Sequence, residues 1–487
     1  MLKDRKQRKD IFIVLILFLF SILYHYFIGD FTKGLETYPD ELRYFSIARS
    51  IARGEGFLIR GINYGYQKIM YSLFLSPIFL FKDPALIVKL INLLNSVAMA
   101  STVIPAYRIA KRIRANQLAT YLFCFFVAIW SETIITMTFM AEVIYWPLCF
   151  WFIDLWLSIQ EKGNAWKIVL LGVVCYMGYL TKEIFLALFL GVIFFSIGKI
   201  CLALKKGDRN YAIEETKSIM LFVITFVFIF VGFKKLFFEG LSNSYSNQIT
   251  LDVILNPYGF AYMMYAAIYY IAAILVSLFI IPWLRVLSLY REYSKPIKNL
   301  IIFISMVLLI SVGTIAFTIS VREDLGRIAP RLHMRYLMPF ILIYLLLYFV
   351  SMDGLNTKAF GSNRRKMFLF IALAFCALVF KGTTLGSSVD QYSFMWTIKL
   401  ETILSGLTIP ILGKNVPLYL IFIVGLIMGI ALVLSIFEKN ARTKNEIIFF
   451  NSSITFSIIC LLIPINNLSS SINLLSSKSL VSYLLLK

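Results

Sequence analysis

The chain has 487 residues, 60% of them hydrophobic, with 44 Phe and a formal net charge of +21. A mean hydropathy of +0.82 excludes a water-soluble domain. It also excludes the nucleic-acid partner that such a charge would suggest in a soluble protein, because no soluble basic domain exists to carry one. Apolar runs of about 20 residues, each long enough to cross a bilayer as a helix, recur along the chain. The expected class is therefore an all-α polytopic membrane protein, not a closed barrel of short alternating strands.

The chain opens on "MLKDRKQRKD", which is basic, and continues into an apolar run over 11–29. No small-x-small cleavage site follows, so a retained first helix is expected. Further spans are predicted over 86–107, 117–131, 138–159, 166–180, 184–204, 218–238, 260–284, 299–320, 336–351, 367–386, 416–437 and 446–465. The breaks "RIAKRIRAN", "QEKGNAWK", "LKKGDRN", "LYREYSKPIK", "GSNRRK" and "EKNARTKN" alternate along the chain, and each is rich in Lys or Arg. With the N-terminus they form one set of like segments. The positive-inside rule then places the N-terminus in the cytoplasm of a multi-pass inner-membrane protein.

The remaining breaks lie outside on that topology, among them a first outer loop over 30–85, a loop over 321–335, and a tail over 466–487. They carry cations where the rule predicts few: Arg43, Arg49, Arg53, Arg60 and Lys68 in the first, and Arg322, Arg327, Arg331 and Arg335 in the second. An anionic partner on the outer face accounts for them. The tail is rich in Ser, Leu and Asn and carries no assigned chemistry.

The first outer loop contains "TYPDELRYFSIARSIARGEGF". Leu42, Phe45, Ala48 and Ala52 share one helical stripe, and Arg43, Ser46, Ser50 and Arg53 another. Gly54 and Gly56 end the pattern. A helix of about a dozen residues is too short to span and is expected to lie at the interface. Asp40 and Glu41 open it, where the helix dipole favours carboxylates. The run over 69–81, with Pro77 inside it, predicts a second interfacial or re-entrant piece.

Six cysteines lie within or beside apolar segments, none with CxxC spacing, so neither a disulfide frame nor a zinc site is expected. The two histidines, His25 and His333, are too few for a histidine metal cage. No cofactor is required by the sequence. Asp40 with Glu142 could hold a divalent ion.

Several of these stretches, taken together, resemble membrane glycosyltransferases of the GT-C type. They are "YPDELRYFSIARSIARGEGF", "YGYQKIMYSLFLSPIFL", "TIITMTFMAEVIYWPLCFWF", "YLTKEIFLALFL" and "RLHMRYLMPFILIYLL". The nearest branch is that of the protein O-mannosyltransferases and aminoarabinose transferases. The likeness covers the first 200 residues and one late segment; where the family has Thr-Glu, this chain has Ala141-Glu142. The resemblance implies a GT-C-like bundle of about 11–13 helices with interfacial helices in the first outer loop. It implies an inverting enzyme that moves a sugar from a polyprenyl-phosphate donor to a hydroxyl of a glycan, lipid or protein on the outer face, where O-antigen glucosyltransferases are one member type.

That reaction needs a base, cations for the departing phosphate, and a groove for the isoprenoid. The resemblance points to Asp40 as base with Glu41 beside it. Asp is also a good helix N-cap, and both readings fit the position alone. A single base without a carboxylate nucleophile implies inversion, by analogy with inverting glycosidases. Glu142 lies just inside the outer end of a span, where a carboxylate is costly unless paired or lining a cavity. It could orient the acceptor or partner Lys182, and Glu132 competes nearer the surface. Arg331, Arg335, Tyr336 and Lys182 are the candidates for the donor phosphate, against ordinary lipid headgroups. Arg43, Arg49 and Arg53 read as headgroup contacts. Asp154 reads as structural.

Two other classes compete. A transporter or flippase for a lipid-linked glycan should show paired halves or helices broken near the midplane, and neither is visible. An O-antigen polymerase or ligase should carry its large outer loop late, whereas here the acidic loop comes first.

Overall fold

The computed structural model describes residues 2–29, 39–63, 65, 68–130, 133, 135–136, 138–237, 256–278, 281–322, 332–352, 371, 408–411 and 414–417. Apart from residues 371, 416 and 417, the spans expected over 367–386, 416–437 and 446–465 lie outside the described residues, as do the tail over 466–487 and the candidates Arg331 and Glu132.

The first helix, α1, runs Leu2–Gly29. Two short elements follow, α2 (Pro39–Ala52) and α3 (Met70–Leu75), the latter prolonged by a 3-10 turn, Ser76–Leu80. Then come α4 (Pro84–Ala100), α5 (Val103–Arg112), α6 (Gln117–Ile129), α7 (Glu142–Glu161) and α8 (Ala165–Thr181). After a 3-10 turn, Glu183–Phe185, stand α9 (Leu186–Lys205) and α10 (Arg209–Phe237). The described helices close with α11 (Pro257–Ser277), α12 (Ile281–Ser288), α13 (Lys295–Arg322) and α14 (Met338–Ser351). An antiparallel pair, β1 (Thr408–Ile411) and β2 (Lys414–Pro417), is the only sheet among the described residues.

Among the described residues, seven helices are long and apolar enough to cross a membrane: Arg8–Gly29, Pro84–Arg112, Glu142–Glu161, Glu183–Lys205, Arg209–Leu236, Pro257–Leu275 and Lys295–Ser320. Four apolar helices are shorter: Met70–Leu80, Gln117–Ile129, Ala165–Thr181 and Met338–Ser351. The chain is a polytopic α-helical membrane protein.

Local chemistry sets the helix starts. Asp83, Asn116, Asn164 and Asn256 each turn a side-chain oxygen onto a backbone N–H of the following first turn, at 2.9, 2.6, 3.1 and 3.0 Å. These side chains satisfy donors that a helix start leaves without an intrahelical acceptor. Pro84 and Pro257 occupy the first helical position, where a missing N–H costs nothing. The span expected over 260–284 is divided, with α11 ending at Ser277 and α12 beginning at Ile281.

The bundle is sorted by burial. Most of α7 is buried, whereas most of α10 and α1 is not. Thus α7 is central, together with α14, whose residues are nearly all buried. The outward faces of α1 and α10 display Phe12, Leu23, Phe27, Phe228 and Leu236, as lipid-facing helices do.

The helix expected over 39–52 is present, turned from its expected face. Its buried stripe is Glu41, Tyr44, Phe45, Ile47 and Ala48, while Leu42 is exposed. The cause is packing. The segment Met70–Leu80 lies against α2, with Tyr44 on Tyr71 at 5.3 Å and Phe45 on Phe79 at 5.3 Å. That contact draws the aromatic side of the helix inward, a side the simple apolar count underweights.

The two ends of the bundle carry different chemistry. At the end holding the N-terminus, buried Asp154 binds Arg108 Nε at 2.7 Å and Arg112 Nε at 2.6 Å, and Asp10 binds Lys111 Nζ at 2.8 Å. These pairs tie α5 to α7 and to α1, and they give Asp154 the structural role expected of it.

Candidate active site

The other end gathers α2, the starts of α7 and α14, the end of α8 and the residues just before Met70. Glu142 is the first residue of α7, and its side chain is fully buried. Its Oε1 lies 3.2 Å from Lys182 Nζ and 2.9 Å from Arg335 Nε. The three side chains are 0%, 6% and 14% exposed, so the charges sit largely out of water. A carboxylate held so deep by two cations is costly to disrupt.

Each cation also faces an aromatic ring. Lys182 Nζ stands 5.5 Å from the Tyr336 ring centre and 6.0 Å from that of Tyr44. Arg335 Cζ is 5.1 Å from the Tyr336 ring, and its Nη2 donates to the Tyr336 hydroxyl at 3.3 Å. Such faces attract cations.

The backbone beneath these side chains is fixed from α7. Trp146 Nε1 donates to the carbonyl of Arg335 at 3.1 Å, and the Tyr145 hydroxyl to that of Tyr336 at 3.0 Å. Tyr270 of α11 accepts the His333 N–H at 2.7 Å, and the His333 ring lies on Tyr336 at 5.8 Å. The end of α8 is set by close packing. A Cβ placed on Gly178 would stand 2.4 Å from the Phe185 ring, so glycine there lets the chain turn tightly and present Lys182.

Asp40 and Glu41 divide as the helix geometry of adjacent residues requires. Glu41 is fully buried and accepts the Phe139 N–H at 3.1 Å, tying α2 to the turn that precedes Glu142. Asp40 is the accessible one. It meets Arg43 Nη1 at 3.2 Å, with 34% of its side chain exposed. Burial pushes its carboxyl up, but the charges of Lys182, Lys68, Arg43 and Arg335 outweigh that and hold it below the usual carboxylate range. Burial likewise pushes Lys182 down, and Glu142 more than reverses this, so its ammonium is held above the usual lysine range.

Lys68 joins this group and was not among the expected site residues. Its Nζ is 3.9 Å from Glu183. Burial lowers its ammonium to about 8, even with Glu183 opposing. Its signal in the sequence was a cation on the side where the charge rule predicts few.

Of the expected residues, the fold brings together Asp40, Glu41, Glu142, Lys182, Arg335 and Tyr336. Arg43 stands at the edge through Asp40. Arg49, further along α2, and Arg53, just past its end, are exposed. Among the described residues no three metal-ligating side chains converge. Glu142, one of the two carboxylates considered for a divalent ion, is in contact with Lys182 and Arg335 instead.

No family model matches the chain, and no curated protein does. Among solved structures it is similar to the crystal structure of ArnT from Cupriavidus metallidurans in the apo state, with 13% identity and a TM-score of 0.49. It is also similar to the same ArnT bound to undecaprenyl phosphate, with 12% identity and a TM-score of 0.48. Each likeness covers 94% of this chain and 77% of the other. Both likenesses concern the overall course of the chain, and neither assigns a role to any of its residues.

Proposed function

We propose that this protein is an inverting glycosyltransferase that moves a sugar from a polyprenyl-phosphate donor to an acceptor hydroxyl at the outer face of the membrane. The observation that carries the reading is the Lys182–Glu142–Arg335 cluster acting on an accessible, ionised Asp40. The charge pattern of the breaks supports the orientation: the opposite end of the bundle bears Lys111, Arg112, Arg114, Lys162, Lys167, Lys205 and Lys206.

The chemistry divides between the two carboxylates. Asp40 takes the proton of the acceptor hydroxyl as its oxygen attacks the anomeric carbon. The bond from that carbon to the phosphate oxygen breaks in the same displacement, so configuration inverts. The departing polyprenyl phosphate gains negative charge, and Lys182, Arg335 and Lys68 stabilise it. Tyr336 holds the two cations of the cluster in place. Glu142 acts through Lys182 and Arg335, fixing where their charges sit. Glu41 sets the angle between α2 and α7. Arg331 is a further candidate for the phosphate.

The test is a product analysis. The purified protein is given isotope-labelled polyprenyl-phosphate sugars with membrane acceptors, and the new linkage is read by NMR. An inverted anomeric centre with release of polyprenyl phosphate is expected. Retention, or movement of the intact donor across the bilayer without transfer, would remove the reading.

A further inference from the structure

The outward side of α2 carries more positive charge than the site uses. Arg49 on α2 and Arg53 just past its end are exposed, one helical turn apart, on the side that bears half-buried Ser46. Gly54, at φ 74°, then turns the chain out of the helix. The segment that follows folds back, and the Arg60 N–H donates to the Ser46 hydroxyl at 2.8 Å. This brings Arg60 onto the face that bears Arg49 and Arg53.

The turn that presents Arg60 is a strained one. Ile59 and Ile62 pair across a two-residue connection in which Arg60 has φ 51° and Gly61 φ 80°. Asn or Gly would be the ordinary choice for the first of these positions. An arginine held there against local preference marks its side chain as useful. Among the described residues Arg49, Arg53 and Arg60 make no ion pair, and Glu55 is exposed beside them. Exposed Ile62 and Leu42 flank the cations on the same segment.

From this surface we infer an anionic-lipid contact: Arg49, Arg53 and Arg60 dock onto the phosphate headgroups of acidic phospholipids in the leaflet at the site end. The occupant follows from the mixed chemistry. Exposed apolar side chains beside unpaired guanidinium groups suit the boundary of a bilayer, where the one enters the acyl region and the other meets phosphate. A water-borne polyanion would leave Ile62 and Leu42 without a partner. The contact fixes the far end of the helix whose first turn carries Asp40, and it stands apart from the sugar-transfer reading.

The experiment uses the full chain in nanodiscs, one set of phosphatidylcholine alone and one with phosphatidylglycerol added. Hydrogen exchange is followed at residues 57–62. Each arginine near an acidic surface contributes about fivefold in occupancy, so exchange in the acidic discs should slow by about fivefold or more. The R49Q/R53Q/R60Q variant should exchange equally in both discs, and high salt should erase the wild-type difference. The single variant R60G, which relieves the left-handed strain, should fold as well as wild type and lose part of the difference. Equal exchange of the wild type in both discs would overturn the inference, as would a difference that survives the triple substitution. Equal protection by soluble inorganic polyphosphate in both discs would also overturn it, in favour of a polymeric partner.

Discussion

Lys182 Nζ and Glu142 Oε1 lie 3.2 Å apart at the junction of α8 and α7, both out of water. Neither charge would be tolerated alone at that depth. Removing one partner of such a pair strands the other, which costs about 3–5 kcal/mol. Glu142→Gln should therefore lower the melting temperature strongly, and it should lower transfer as well. Glu142→Asp, which keeps the charge, should recover part of both. A thermal scan beside an activity assay checks this, and an unchanged melting temperature would show that the buried pair does not hold the site together.

Asp40 presents the opposite case. Its pair with Arg43 is exposed, and such pairs contribute about 0–1 kcal/mol. Asp40→Asn should therefore leave stability close to wild type while removing transfer. The carboxyl is held below the usual range, so it stays ionised as pH falls to ordinary carboxylate values. Activity should accordingly persist on the acid side to pH values below the ordinary carboxylate range, as a pH profile would show.

Lys68 sets the alkaline side. Its ammonium, lowered to about 8, loses its charge as pH rises through that value. In the free protein this weakens the hold on the donor phosphate. Donor kcat/KM should fall above about pH 8, while kcat at saturating donor, whose phosphate keeps the lysine charged, should fall later. Lys68→Arg should move the limb upward, because guanidinium does not titrate there. A limb that stays in place in Lys68→Arg would assign it to another group.

Arg335 touches both the Glu142 carboxylate and the Tyr336 ring. Arg335→Ala should raise the KM for donor more than that for acceptor. Equal effects on both would indicate a structural part only.

Gly178 offers a test of packing rather than charge. A methyl group there collides with the Phe185 ring at 2.4 Å. Overpacking of this kind costs about 1–3 kcal/mol. Gly178→Ala should lower the melting temperature and, by shifting the turn that carries Lys182, reduce transfer further than stability alone accounts for.

The helices were legible because apolar runs of bilayer length admit few other structures. The expected spans over 11–29, 138–159, 184–204, 218–238 and 299–320 each find a helix. The site was legible in part. Asp40, Glu142, Lys182 and Arg335 stand far apart in sequence, and only the alternation of ends put them on one side. The face of α2 was not legible, because the Tyr44–Tyr71 and Phe45–Phe79 contacts that turn it depend on a neighbour about 30 residues away. That adjacent Asp40 and Glu41 point different ways was legible from helix geometry, but the partner that buries Glu41 was not. Glu41 is drawn inward by the Phe139 N–H, a partner that only the folded chain supplies.

The most direct measurement is single-turnover transfer from a radiolabelled polyprenyl-phosphate sugar to membrane acceptors, comparing wild type with Asp40→Asn at equal protein and equal melting temperature. The account predicts a labelled product with wild type, and none with Asp40→Asn even though the variant still binds donor. Wild-type turnover in Asp40→Asn would contradict it.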